Sequence, residues 1–101
     1  MLSSYILLFN YVSVSKLALL IGGFEIATLS AGGVLQAVEA ILTGVVNNAY
    51  CLVRPPGHHA TKNLGMGFCL FNNIVLGAMH ARAFSSKIKR IAIVDYDVHF
   101  G

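Results

Sequence analysis

The middle of the chain repeats apolar residues at the spacing of one helical face. Four of them stand at i, i+4, i+7 and i+11: Val34, Val38, Ile41 and Val45. This is the stripe by which an amphipathic helix packs against a core. The pattern predicts a helix that Ser30 caps and Gly44 ends.

Two short, continuous apolar runs flank a second helical pattern. The runs are AYCLV at 49–53 and IAIV at 91–94, and the loop 54–67 between them holds two prolines and three glycines. Runs without alternation are typical of strands buried on both faces of a parallel sheet. The helix after the loop is predicted from four apolar positions: Leu70, Ile74, Ala78 and Ala81. The order strand, loop, helix, strand predicts a right-handed βαβ crossover and an α/β fold class.

Polar residues follow both predicted strands. His58 and His59 lie in the loop after the first strand, and Asp95, Asp97 and His99 come directly after the second. Parallel strands present their carboxyl ends at one edge of a sheet, where ligands bind in α/β folds. We therefore expect the two clusters to meet.

Composition indicates that this apolar framework belongs to a larger fold. Hydrophobic residues make up 56% of the 101 positions and charged residues 11%, which is more apolar than an ordinary soluble domain. Residues 1–26 form the most apolar part and are left as an unassigned segment. Lys16 interrupts this segment before it reaches the roughly 20 apolar residues of a spanning helix, so a membrane anchor or a signal peptide is the lesser alternative and no membrane partner is predicted.

The net charge of +3 and the two cysteines indicate little about function. Four basic residues lie within nine positions, which favours a solvated helix end over a nucleic-acid patch: Arg82, Lys87, Lys89 and Arg90. No direct nucleic-acid binding is predicted. Cys51 and Cys69 form no CxxC pair, which is typical of a reduced intracellular protein.

The DYDVH stretch carries the first candidate chemistry. Asp95, Asp97 and His99 are spaced by two, so an extended chain projects all three to one side. Carboxylate oxygen and imidazole nitrogen are ligands that zinc accepts. The alternative is that the aspartates only accept hydrogen bonds from neighbouring backbone and that His99 is incidental.

Three further features have a functional and a structural interpretation. His58 and His59 can carry protons near neutral pH, or they lie in an exposed polar turn. Gly67 can approach a ligand and Phe68 can wall a pocket; the alternative is that Gly67 lies in a turn and Phe68 is a core residue. His80 is expected on the solvated face of the second helix.

Three stretches in this order resemble the histone deacetylase superfamily, in its class II-like branch: AYCLVRPPGHHA, GMGFCLFNNI and IAIVDYDVHFG. The resemblance covers residues 27–101, which are interpreted as a partial histone deacetylase domain. It implies a three-layer arginase-like α/β fold with a central parallel sheet, and a zinc-dependent amidohydrolase that removes acetyl groups from lysine side chains.

The resemblance also implies the roles of individual residues. Asp97 and His99 correspond to zinc ligands. His59 corresponds to the main general base and acid, while His58 pairs with Asp95.

The same resemblance implies a substrate channel and a second cation. Gly67 would supply a backbone contact to the substrate amide, and Phe68 one wall of the acetyl-lysine channel. A potassium ion is expected near Asp95, Asp97 and the backbone of His99.

Two departures from the family pattern matter. Phe100 stands where the family has a second histidine, at a position that is not a zinc ligand. The family's third zinc ligand, its carbonyl-polarising tyrosine and the partner of the second histidine are expected beyond Gly101. We therefore expect the 101-residue chain to bind zinc weakly and to be inactive by itself.

The expected partner is an acetylated protein, with histone as one candidate, in the nucleus, the cytoplasm or both. The alternatives are a deacetylase of acetylpolyamines or other small molecules, and a truncated product without catalysis.

Overall fold

The computed structural model describes residues 22–101, so a prediction that falls on residues 1–21 lies outside the described residues. Helix α1 spans Gly23–Leu42 and helix α2 spans Asn73–Phe84. The prediction of two helices is confirmed, while the strand predicted between them is not formed.

Helix α1 begins eight residues earlier than its pattern predicts, since it starts at Gly23 and not after Ser30. The prediction that Ser30 caps the helix is wrong, because Ser30 lies inside it with a buried hydroxyl that donates to the carbonyl oxygen of Pro55 at 2.9 Å. Gly44 does follow the end of α1, with φ at 78°, where glycine is favoured. Val45 lies past that end and is exposed, so it does not belong to the buried stripe.

The two helices pack through the predicted stripe of α1. Val34 and Val38 are buried, and Gly77 of α2 lies against both. A Cβ atom at residue 77 would stand 2.9 Å from Cγ1 of Val34 and 3.6 Å from Cγ2 of Val38. The close approach of the helices therefore requires glycine at this position.

By length and hydropathy α1 is also apolar enough to cross a membrane. A core helix of a soluble protein meets the same criteria, and the buried residues of α1 form one stripe that packs on α2. The expected lack of a membrane partner stays a prediction.

No strand is formed among residues 22–101, and the one bridge there joins Met66 and Cys69. The segments 49–53 and 91–94 lack strand pairing, and their side chains are not buried on both sides: Leu52 is 79% and Val94 78% exposed. Parallel strands become buried when neighbouring strands and helices cover them on both faces. The described residues form two helices and no strand, so the central sheet stays a prediction.

Candidate active site

The two-histidine loop, residues 54–60, is built against the start of α2. Gly57 is buried there, and a Cβ atom on it would stand 2.7 Å from the carbonyl oxygen of Phe71 and closer still to the backbone nitrogen of Asn73. Only glycine fits so close to another backbone. The amide of Ala60 donates to the carbonyl of Gly57 at 3.0 Å, which closes the turn around the histidines.

His58 is held by a carboxylate from the far end of the chain. Its Nδ1 lies 2.7 Å from Oδ2 of Asp95, although 37 residues separate the two. His58 is only 5% exposed, which contradicts the interpretation of this histidine as part of a solvated turn. The hydrogen bond from His58 is the main cause that lowers the pKa of Asp95 below its usual range.

The second ring nitrogen of His58 is the unusual atom of this cluster. Nε2 is buried and has no hydrogen-bond partner among the described residues. Buried polar atoms almost always have a partner, so an orphaned nitrogen indicates a place where a ligand or a reacting group belongs.

His59 lies between the two polar clusters. Its ring centroid is 4.1 Å from that of His58 and 6.2 Å from that of His99. Gly67 lies directly against the His59 ring, since a Cβ atom on it would stand 2.7 Å from Cγ of His59 and closer to Cδ2. The expected meeting of the two clusters is thus found, although no sheet edge among residues 22–101 brings it about.

Asp97 and His99 form a second pair on the same segment as Asp95. Oδ2 of Asp97 accepts hydrogen bonds from the backbone amide of His99 and from its Nδ1, both at 2.8 Å. These two bonds lower the pKa of the Asp97 carboxyl. Oδ1 of Asp95 accepts a hydrogen bond from the backbone amide of Asp97 at 3.0 Å. Both aspartates therefore accept hydrogen bonds from neighbouring backbone, which is one part of the structural alternative to a metal site.

The donor set fits part of a zinc site. Carboxylate oxygen and imidazole nitrogen are ligands that zinc accepts, and Oδ2 of Asp97 and Nδ1 of His99 are adjacent, at the hydrogen-bond distance of 2.8 Å. Within residues 22–101, no group of three His, Cys, Asp or Glu side chains is arranged to hold a metal. Both residues are consistent with a shared ion, while the complete set of ligands and the predicted potassium site stay predictions.

Gly67 and Phe68 form a tight turn beside the histidines. Both have positive φ, 54° and 67°, and the amide of Cys69 donates to the carbonyl of Met66 at 2.8 Å. Phe68 is exposed, so its interpretation as a core residue is wrong. Its predicted role as a channel wall stays a prediction.

Sequence reasoning placed His80 on a solvated face, but the structure gives it a partner. Nε2 of His80 lies 2.7 Å from Oε1 of Glu39, which ties α2 to α1, and the His80 side chain is half-buried. The two residues are 41 positions apart, so only the packing of the helices brings them together. The basic residues near and beyond the end of α2 are exposed, as expected for a solvated cluster.

Sequence reasoning also missed the polar residues that hold the two-histidine loop. Nδ2 of Asn73 donates to Oγ of Ser30 at 3.0 Å and to the carbonyl of Pro55 at 3.2 Å. Nδ2 of Asn72 donates to the carbonyl of Ala60 at 3.1 Å. The available signal was the pair of adjacent asparagines near the start of the second helical pattern.

Comparison with known proteins identifies the family of the chain. The family model described as "Histone deacetylase domain" matches residues 12–101. The chain therefore belongs to the histone deacetylase family. The match begins inside the segment 1–26 that the sequence left unassigned.

Similar proteins carry two kinds of substrate in their names. The chain is 53% identical over 78 residues to the mouse protein named polyamine deacetylase HDAC10, a match that covers 77% of this chain and 12% of the mouse protein. It is 48% identical over 80 residues to the histone deacetylase-like amidohydrolase of Pseudomonas aeruginosa, covering 79% of this chain and 21% of that protein. It is 45% identical over 76 residues to histone deacetylase HDA1 of Candida albicans, covering 74% and 9%. The chain thus spans about a tenth to a fifth of the length of these relatives.

Proposed function

We propose that this chain contributes part of the active site of a zinc-dependent deacetylase that hydrolyses the amide of acetyl-lysine in proteins, histones among them. The observation that carries the proposal is the buried Nε2 of His58, which has no partner among the described residues while Nδ1 is held by Asp95. A histidine in this arrangement is suited to exchange a proton with a substrate or with water.

The two ring nitrogens of His58 have different roles in this proposal. When Nδ1–H donates to the carboxylate of Asp95, the neutral ring has its lone pair on Nε2. The carboxylate also stabilises the ring once Nε2 accepts a proton. His59 lies at a ring distance of 4.1 Å, so both histidines can serve one substrate, and the family resemblance assigns the main general base and acid to His59.

Asp97 and His99 are the residues that would hold zinc. A bound zinc ion supplies a Lewis acid that polarises an acyl carbonyl. The hydrogen bond from the backbone amide of His99 is the main cause that lowers the pKa of Asp97, which suits this carboxylate as an anionic ligand. A potassium ion near Asp95, Asp97 and the backbone of His99 is part of the same proposal.

Gly67 and Phe68 would position the substrate. The turn that holds them lies against His59, so the backbone of Gly67 is close to the candidate base and can meet the substrate amide. Phe68 is exposed and offers an aromatic surface to the aliphatic stem of an acetylated lysine.

The test is deacetylation of an acetyl-lysine peptide by the protein purified from its source at its natural length. We expect turnover that a zinc chelator abolishes and that His58→Ala reduces strongly. His80→Gln is the matched control, because it replaces a histidine of α2 that is bound to Glu39, and it should retain activity. Equal activity of the two variants would contradict the assignment of His58.

The 101-residue chain by itself should not catalyse the reaction, because catalytic zinc has three protein ligands and residues 22–101 bring no three His, Cys, Asp or Glu side chains together to hold a metal. Chelator-sensitive deacetylation by the purified chain would contradict this expectation. A truncated product without catalysis is the corresponding alternative, and finding the 101-residue form alone in its source would favour it.

An acetylated polyamine is the second candidate substrate, because the relatives named polyamine deacetylases include one that is 53% identical to this chain. The ratio of kcat/KM for an acetylpolyamine to that for an acetyl-lysine peptide decides between the two. Action on histones would place the protein in the nucleus, action on other acetylated partners in the cytoplasm, and cell fractionation separates these outcomes.

A further inference from the structure

Asn72 uses the two ends of one side-chain amide for two purposes. Its Oδ1 accepts a hydrogen bond from the backbone amide of Val75 at 3.3 Å and so caps α2. Its Nδ2 donates to the carbonyl of Ala60 at 3.1 Å and makes a longer contact, 3.5 Å, with the carbonyl of His58. One side chain therefore joins the first turn of α2 to the backbone on both sides of His59.

The two ends of the two-histidine loop are held in different ways. At its start, the carbonyl of Pro55 accepts hydrogen bonds from both Ser30 and Asn73, whose side chains are buried. At its end, Asn72 supplies the side-chain bonds to the loop backbone. The loop start is thus fixed by two side chains and its end by one amide.

We propose that Asn72 is a positioning residue that holds His58 in reach of Asp95. The hydrogen bond from Nδ2 fixes the carbonyls that flank His59, and the orientation of the His58 ring follows from that backbone. The proposal rests on the proposed function and extends it, because it concerns His58, one of the two histidines proposed for the active site.

Helix capping alone does not require asparagine at this position. Aspartate and serine cap helices about as well as asparagine, but neither replaces the amide N–H that reaches Ala60. The carboxylate of an aspartate would face two carbonyl oxygens and repel them. A serine hydroxyl ends one bond short of Nδ2. These two substitutions therefore separate capping, which they keep, from loop positioning, which they remove.

Hydrogen exchange of the purified protein, read by mass spectrometry for Asn72→Asp and Asn72→Ser, tests the proposal. In the segment 57–61, amides such as Ala60, bonded to Gly57 at 3.0 Å, and Thr61, bonded to Leu64 at 2.9 Å, report the loop. We expect both variants to exchange roughly five- to tenfold faster there, since one hydrogen bond is lost, while the segment 73–84 keeps wild-type protection.

The control is Asn48→Asp, which introduces the same charge at an exposed residue outside both helices and should leave both segments unchanged. Wild-type protection of 57–61 in the two variants at residue 72 would overturn the proposal. Loss of protection in 57–61 and 73–84 together would also overturn it, because the residue would then act only through the helix.

A second readout follows His58 directly. Nitrogen chemical shifts of its ring at one fixed pH report whether Nδ1 carries the proton bonded to Asp95. We expect the wild-type ring to have this proton on Nδ1, and both variants to show a mixture of Nδ1- and Nε2-protonated rings. In the deacetylation assay kcat should fall with little change in KM. If the wild-type protein shows no deacetylation, the proposed function fails, while hydrogen exchange and the ring signals still decide the role of Asn72.

Discussion

A methyl group at residue 67 would collide with His59. Gly67 has φ at 54°, and a Cβ atom there would stand 2.7 Å from Cγ of His59, 3.0 Å from its Cβ and closer to Cδ2. Ordinary carbon contacts are about 3.5–4.0 Å, so the His59 ring has to move in Gly67→Ala. Gly44 has a similar φ of 78° but no atom within 4 Å of its Cβ position, which makes Gly44→Ala the matched control.

The two variants share one cost and differ in a second. An L-residue in the left-handed region costs about 1–2 kcal/mol, and both variants bear this cost. Loss of glycine's freedom in the unfolded chain stabilises both by about 0.4–1 kcal/mol, so this contribution cancels between them. Displacement of the His59 side chain adds about 0.5–1.5 kcal/mol to Gly67→Ala alone. Gly67→Ala should therefore be less stable than Gly44→Ala by about 0.5–1.5 kcal/mol.

Urea unfolding measures this difference, provided that both variants keep the same dependence of unfolding free energy on urea concentration. In the deacetylation assay, a histidine displaced by about 1 Å predicts a loss of about a hundredfold in kcat/KM for Gly67→Ala, and no loss for Gly44→Ala. Equal unfolding free energies together with unchanged activity would refute the argument that Gly67 makes room for His59.

Three other outcomes can be checked on the same protein. Asp95→Asn should lower the free energy of unfolding by about 1 kcal/mol at pH 7 after allowance for solvent screening. Because folding lowers the pKa of Asp95, the stability difference between wild type and variant should shrink as the pH falls below about 4 and through that lowered pKa. A stability difference that persists in acid would contradict the role of the ionised carboxylate. Burial raises the pKa of both Cys51 and Cys69, so alkylation by iodoacetamide, followed by mass spectrometry, should be slow at pH 7. The alkylation rate should increase only at a pH above the ordinary thiol pKa of about 8.5, and it should stay lower for the more deeply buried Cys69. Rapid labelling at pH 7 would contradict the effect of burial. Val38→Ala removes two methyl groups from a side chain that is 1% exposed and should lower the free energy of unfolding in urea by about 2 kcal/mol. Leu29 is exposed, so Leu29→Ala should change it by less than about 0.5 kcal/mol. Similar losses in the two variants would show that α1 does not pack through its apolar stripe.

The elements most visible in the sequence were those with a strong period. The apolar stripe at Val34, Val38 and Ile41 predicted the buried face of α1, and these residues are buried. The start of α1 was missed because Ser30 has the chemistry of a cap, while its hydroxyl is bonded to Pro55 within the helix. Local residue type does not reveal whether a polar group is satisfied by its neighbours or by a distant backbone.

The two predicted strands are elements that local sequence could not establish. Continuous apolar runs at 49–53 and 91–94 indicate segments that favour burial, but strand pairing is a property of neighbours and not of the run itself. Among residues 22–101 neither run is paired as a strand. The runs keep their apolar character and expose much of it, as Leu52 and Val94 do.

The candidate site divides in the same way. Residue types and their order identified the chemistry: the histidines at 58 and 59, and the Asp-x-Asp-x-His stretch that ends at His99. Motifs are local, so the sequence alone determined which functional groups are present and which family they resemble. The tertiary structure decided that Nδ1 of His58 meets Asp95 across 37 residues, that its Nε2 is left buried, and that Asn72 joins the loop to α2. Those contacts depend on how separate segments pack, because hydrogen bonds between distant residues leave no periodic signal in the chain.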